Sequence, residues 1–420
     1  MTGTILTPTQ ILRESQRYLH QSLNFIGNTT RQYDDRFAQG GAKIGTSLNV
    51  RLPPKFIAQS GASYVDQLYV ERSTPLPLAT QTHIGVSFTS VDLTMSLNDF
   101  GEQFLKPQMA QLAATIEGQC LSYAYKKVSN YTGTTSTSMT YLAFQQNRQN
   151  LAENLAPVAD RVAILNPLSE VNFADATKGL FQDSSSIKEQ WREGLMGRTG
   201  GFDVYENTLL PAHTMGTLAG TPLTTGTTLG TSTTANVWVS QTDMSVDGAT
   251  SATTLKAGDV ITFGTVAAGL VDCHPETKTT YGKLKKFVVQ SDVTMTTSAN
   301  PYTVTVKPGV IYGTGNAYQN CILTNANTDN MTVTLFGAAG SSVGQSLFMH
   351  KNAFAFVTAD LEDVSRYGAW GARGTMDGIS MRIAKQWSAS TDVTACRIDV
   401  LWGFAEIYPE LASRHINALT

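Results

Sequence analysis

Charge is what this sequence has least of. Asp, Glu, Lys and Arg make up 15% of its 420 residues, where an average soluble protein has about 25%. Thirty basic side chains stand against thirty-three acidic ones, so the basic excess of a dedicated DNA binder is missing. A hydrophobic content of 41% excludes a charge-driven disordered chain. No apolar run approaches the ~20 residues of a membrane span, and no membrane partner is expected. Residues 1–21 are polar and charged where a signal peptide has its apolar stretch, so export by that route is not expected. Cysteine is sparse as well. Cys120, Cys273, Cys321 and Cys396 lie far apart without CxxC spacing, as expected of free thiols in a reducing compartment. A surface with so few ions is either adhesive or meant to be covered.

The usual traces of catalysis are also missing. The histidines are scattered, with no HExxH, and there is no GxSxG, no GxxxxGKS/T and no strand–GxGxxG–helix unit. Cys273, His274 and Glu276, with Cys321, come nearest to a metal cluster, but a β-domain loop is the plainer reading. Asp34 and Asp35 read as an exposed acidic pair, and Lys283, Lys285 and Lys286 as a solvated strand face. Gly368, Gly371, Gly374 and Gly378 read as a flexible loop. No catalytic residue, cofactor or metal is assigned, and the chain is not expected to be an enzyme.

What is present is a mixture of helical and strand patterns, an α+β chain. Apolar residues at helical spacing predict an amphipathic helix over 8–26, followed by a polar stretch too small to own a core. Alternation in 44–52 and 83–95 predicts two strands of a hairpin whose long polar connection, 59–82, projects as an arm covered by something else. Met109, Leu112, Ala113, Ile116, Cys120, Ala124 and Val128 form one stripe of a longer helix over 107–130. A mixed region follows, with helices at 139–155, 168–181 and 185–195, a buried strand RVAILNP and a strand at 202–206. From about 215 to 342, Thr, Gly and Ser dominate and short strands recur, which reads as a small all-β domain inserted into a loop. Long strands and a short helical tail complete the chain. A terminal arm, a projecting hairpin and a low-charge surface together suggest a self-assembling structural subunit.

Several segments then become familiar. RQYDDRFA (31–38), KIGTSLNVRLPPKF (43–56), LTMSLNDFGEQFLKP (93–107) and IKEQWREGLMGRTGGFD (187–203) resemble the P22-like coat family of tailed-phage major capsid proteins. So do HPETKTTYGKLKKFVV (274–289), VTADLE (357–362), DGISMRIAKQW (377–387) and CRIDVLWGFAEIYPELA (396–412). None is a catalytic signature, and their order along the chain is what makes the match specific. The resemblance implies the HK97-like capsid fold with an inserted all-β domain. It maps an N-terminal arm to 1–42, the extended hairpin (E-loop) to 43–95 and the spine helix of the peripheral domain to 96–130. The axial domain maps to 131–214 and 343–376, the inserted domain to 215–342, and the peripheral-domain strands and tail to 377–420.

It also implies a function: one chain assembling into pentamers and hexamers of an icosahedral shell around double-stranded DNA, formed in the bacterial cytoplasm. The implied partners are further copies of itself, a scaffolding protein, a portal protein at one vertex and weakly held DNA, with a decoration protein as a further candidate. Arg51, Lys55, Asp66, Glu71 and Arg72 on the hairpin, and Thr391 and Asp392 in a three-fold-facing turn, are candidate intersubunit contacts. No Lys lies between Lys55 and Lys106, so covalent cross-linking from the hairpin tip is not expected. The stretch 242–254, matching the family's long charged loop, is short and holds only Asp243 and Asp247. Rival readings are an encapsulin-type compartment and a virion decoration or adhesion β protein.

Overall fold

The computed structural model describes residues 8–31, 47–64, 66–67, 69–89, 106–134, 138–177, 197–226, 236–297, 301–324, 328–361, 364, 370–376 and 379–418. Asp34, Asp35, Gly368, Gly378 and the expected helix at 185–195 lie outside them. The chain divides into two compact units, one made of 1–50, 74–121 and 354–407, the other of 51–73, 122–353 and 408–420.

The first unit is built on a five-stranded antiparallel sheet. Val393–Glu406 is its long central strand, pairing with Ile379–Ser388, Thr80–Thr89 and Phe354–Ala359, while Trp370–Met376 pairs with Ile379–Ser388. Gly371 and Gly374 are therefore strand residues rather than a loop. The reason is close packing: helix α1 (Pro8–Ser22) lies against this ribbon, and a Cβ at Gly374 would meet Leu12 at 3.0 Å. Gln16 Nε2 donates to the Gly374 carbonyl at 2.6 Å. Helix α2 (Lys106–Ala124) buries the whole predicted stripe from Met109 to Ala124, and a 3-10 turn carries the chain on to buried Val128. Phe25, Phe354 and Phe404 pack as a ring cluster, with the Phe25 amide donating to Glu117 Oε1 at 3.0 Å.

The hairpin returns through a different segment from the one its alternation predicts. Ser47–Leu52 pairs with Arg72–Pro77, whereas the 83–95 region contributes to Thr80–Thr89 of the five-stranded sheet. Prolines hid the returning strand. Pro75 and Pro77 are exposed, and in a two-stranded ribbon each strand is an edge strand, where proline is tolerated.

In the second unit a seven-stranded sheet runs Tyr131–Gly133, Ala412–Ala418, Ser342–His350, Arg161–Leu165, Phe202–Glu206 and Arg198–Thr199, with His213–Thr214 pairing Ser342–His350 as well. Helix α3 (Tyr141–Glu153) is capped by Thr140, whose Oγ1 accepts from the Ala143 amide at 3.1 Å. Asn166 does the same for helix α4 (Pro167–Thr177), accepting from the Ser169 amide at 2.7 Å. Between 220 and 335 lies the β-rich region. A six-stranded antiparallel sheet, a three-stranded and a two-stranded one enclose a core that includes Met244, Val246, Ile261, Phe263, Phe287, Val304 and Val306.

The expected helical tail is a strand. Its polar sequence, ASRHINA, gave no apolar alternation, yet Ala412–Ala418 lies inside the sheet between Tyr131–Gly133 and Ser342–His350. Some of its polar groups find partners distant in sequence. Ser413 Oγ donates to Asn147 at 2.7 Å, His415 Nδ1 meets Thr132 Oγ1 at 3.1 Å, and Asn417 accepts from Asn166 at 3.1 Å. Burial pushes the His415 imidazole down to about 4 from its ordinary 6.5. Above pH 6.5 the ring is neutral folded and unfolded, so nothing is lost. As pH falls toward 4 only the unfolded chain takes up this proton, and stability drops. Urea titrations at pH 7 and pH 4.5 are expected to show roughly 2–3 kcal/mol of acid destabilisation from this group, absent in His415→Gln. The same strand makes Gly133 irreplaceable. Its φ is +85°, and a Cβ there would fall 2.3 Å from the Ile416 carbonyl and 2.6 Å from the His415 ring. Gly133→Ala is expected to cost at least ~2 kcal/mol in a urea midpoint measurement.

Candidate assembly surface

The hairpin is held by the β-rich region. Arg72 is only 7% exposed, with its guanidinium centre 5.8 Å from the Trp238 ring and 5.1 Å from the Tyr318 ring. Its Nη2 donates to the Pro53 carbonyl at 2.8 Å, across the hairpin. Tyr318 Oη donates to the Val70 carbonyl at 3.0 Å and accepts from the Lys55 amide at 3.2 Å, so one phenol holds both limbs. Ile57 and Val70 pack beside it against Ile311, Ala317 and Tyr318. Further out, Gln67 cross-links the limbs through both the amide and the carbonyl of Ile57.

The limbs alternate as extended chains do. Ile57, Val70 and Arg72 face the β-rich region. Phe56 (61% exposed), Tyr64 (86%) and Tyr69 (58%) face away from it. Of the candidate contact residues, Arg51, Asp66 and Glu71 are exposed, and Asp66 accepts from Tyr64 Oη at 3.2 Å. Lys55 is half-buried, and burial lowers its ammonium pKa, with Arg72 and Lys285 adding to the shift against an opposing Glu410. Arg72 is engaged within its own chain. Thr391 and Asp392 are brought together in the exposed turn joining Ile379–Ser388 to Val393–Glu406, where Trp387 Nε1 donates to Asp392 at 3.2 Å.

Residues set aside as surface features are structural. Lys283 pairs with Glu153, Lys285 Nζ reaches Asp272 at 2.9 Å, and Lys286 donates to the Tyr131 carbonyl at 2.5 Å. Lys283 and Lys286 tie the β-rich region to α3 and to Tyr131, and Lys285 makes an ion pair inside it, rather than the three forming a solvated face. Burial lowers the Lys286 pKa to about 8. His274 Nδ1 accepts two backbone amides, Glu276 at 3.1 Å and Thr277 at 3.2 Å, which makes it a turn cap. Where the chain enters the β-rich region, buried Asp259 accepts from His213 Nε2 at 2.8 Å, the Gly216 amide at 3.0 Å and the Lys256 amide at 2.7 Å. Sequence reading missed Asp259, Trp238 and Tyr318. No local pattern links Tyr318 to a hairpin some 250 residues earlier in the chain.

Among the described residues no group of His, Cys, Asp and Glu is placed to hold a metal. Comparison with known proteins gives the following. No curated protein matches the chain by sequence. Solved structures similar to it include one from Mycobacterium phage Che8, 8% identical, covering 94% of this chain and 90% of that one at a TM-score of 0.48. The asymmetric unit of the bacteriophage PhiM1 mature capsid is 8% identical over 94% and 89%, at 0.44. The capsid structure of cyanophage P-SCSP1u is 12% identical over 90% and 85%, at 0.41. The model of the family described as "P22 coat protein - gene protein 5" matches residues 70–416. That match runs from the returning limb of the hairpin, through the whole β-rich region, to the C-terminal buried strand, and by it the chain belongs to the P22 coat protein family.

Proposed function

We infer that the chain is the major capsid protein of a tailed bacteriophage, a structural subunit with the HK97-like capsid fold that self-assembles into the virion shell. The observation that carries this reading is the coat-family match over 70–416, which includes the inserted β-rich region that a bare compartment-forming subunit has no need of. In finer detail, 1–42 serves as the N-terminal arm, 43–77 as the extended hairpin, Thr80–Thr89 as a strand of the peripheral sheet and 96–130 as the spine helix. Residues 131–214 and 343–353, with the strand Ala412–Ala418, form the axial domain, 215–342 the inserted domain, and Phe354–Ala359 and Trp370–Met376 belong with 379–406 to the peripheral sheet.

The work of such a subunit is assembly rather than catalysis. One chain has to occupy both pentamers and hexamers, so its contacts need to be several and individually modest, allowing reversible joining before a conformational change locks them. Exposed ion pairs suit this, each contributing under ~1 kcal/mol. Arg51, Lys55, Asp66 and Glu71, with Thr391 and Asp392 at the other surface, are the residues assigned to it. Arg72 acts from within. A scaffolding protein directs assembly in the host cytoplasm, a portal protein takes one vertex, and DNA is held by weak contacts that do not impede packaging. Co-expression with the scaffolding protein of the same phage tests this. Fast-sedimenting particles made mainly of this chain are expected, and a chain that stays monomeric or trimeric with scaffold present overturns the reading.

A further inference from the structure

A 19-residue connection that opens on two prolines and has no strand pairing among its described residues cannot order itself, so something outside it has to fix its direction. The β-rich region does so through Arg72, Trp238, Tyr318, Ile311 and Ala317. Building on the shell reading, we propose that this clamp selects which face of the hairpin meets a second copy of the chain: Ile57, Val70 and Arg72 are the anchor, and Phe56, Tyr64 and Tyr69 are the contact.

The geometry supports each half. A planar guanidinium 5.8 and 5.1 Å from two ring centroids and bonded to the opposite limb is held from three directions, and a lysine there would keep the charge but lose the planar contact with the rings. With Tyr318 Oη bonded to both limbs, neither limb can rotate without breaking a hydrogen bond. A one-residue rotation would exchange Ile57 for Phe56 and Val70 for Tyr69, turning the contact face inward. Three exposed aromatics on one loop are the composition of a protein interface rather than of a solvated turn. The occupant is another copy of this chain, because the family is one of shell-forming coat proteins and because the rim charges Arg51, Asp66 and Glu71 include both signs, as a self-contact requires. Fixing the hairpin beforehand removes most of the ordering cost from the moment of association. The inserted domain thereby gains a task in every subunit: it presets the arm.

The test combines amide hydrogen exchange on the unassembled full-length subunit with scaffold-directed assembly followed by light scattering. Arg72→Lys is expected to raise exchange in 53–71 at least tenfold, leave 302–307 protected, and slow assembly at least tenfold. Phe56→Ser/Tyr69→Ser, both at exposed positions, is expected to slow assembly as much with exchange unchanged. Unchanged exchange in Arg72→Lys would overturn the clamp, and normal assembly of the double variant would overturn the contact face. Failure of the unaltered chain to form shells would sink the shell reading and the contact face with it. The exchange measurement judges the clamp either way.

Discussion

Replacing Asp399 by alanine is expected to destabilise the five-stranded sheet by about 3–5 kcal/mol. Asp399 is fully buried on Val393–Glu406. It accepts from Arg382 at 2.7 and 3.3 Å, from Arg397 at 2.5 Å and from Gln81 at 3.3 Å. One carboxylate thus ties together its own strand, Ile379–Ser388 and Thr80–Thr89. Arg397 is half exposed and can turn to water, but the Arg382 side chain is only 16% exposed and would lose the carboxylate that compensates its desolvation. The penalty comes from that desolvated charge more than from the lost pair. Asp399→Leu combined with Arg382→Met is therefore expected to be far less harmful than Asp399→Ala alone. Thermal unfolding monitored by near-ultraviolet circular dichroism distinguishes the cases. A single variant as stable as the parent would contradict the assignment.

The second large effect is expected at Phe144. Its ring stacks on Phe173 at 4.4 Å and meets Phe348 and Phe202 edge-on at 5.1 and 5.5 Å. All four are fully buried, and they come from α3, α4 and two strands of the seven-stranded sheet. Phe144→Ala removes the shared member and leaves a cavity in a close-packed layer, at a cost of about 3–5 kcal/mol. Leu142→Ala, two residues away on the exposed face of the same helix, is expected to change stability by under ~0.5 kcal/mol. Urea midpoints for the pair give the comparison, and equal effects would mean that α3 does not pack as described.

What could be read from sequence follows a physical line. The stripe from Met109 to Ala124 was legible because a helix that buries one face writes its period into the chain. The β-rich character of 215–342 was legible from short alternating runs and Gly-rich turns. The strand Ala412–Ala418 was not, because its burial rests on Asn147, Thr132 and Asn166, all distant in sequence. Nor was the returning limb of the hairpin, whose Pro75 and Pro77 argue against a strand unless the ribbon has an open side. Arg72 looked like any exposed hairpin charge. Its role became visible only when Trp238 and Tyr318 were placed beside it.

The scarcity of charge sharpens in the same way. Of the few ionised groups, Arg72, Glu117, Arg161, Asp259, Asp399 and Arg414 are buried inside the chain. These groups are taken off the described surface, on which the aromatics at 56, 64 and 69 stand exposed. Such a surface suits a subunit that spends its working life covered by copies of itself, joined by shape and apolar contact, with charges left to set register.

Icosahedral reconstruction of the intact virion by cryo-electron microscopy tests the central claim most directly. This chain is expected to account for the shell density at both five-fold and six-fold positions, with 51–73 seated on its own β-rich region and Phe56, Tyr64 and Tyr69 against the next subunit. Finding the chain only at the tail, or in a few copies upon a shell built from another protein, would contradict the account.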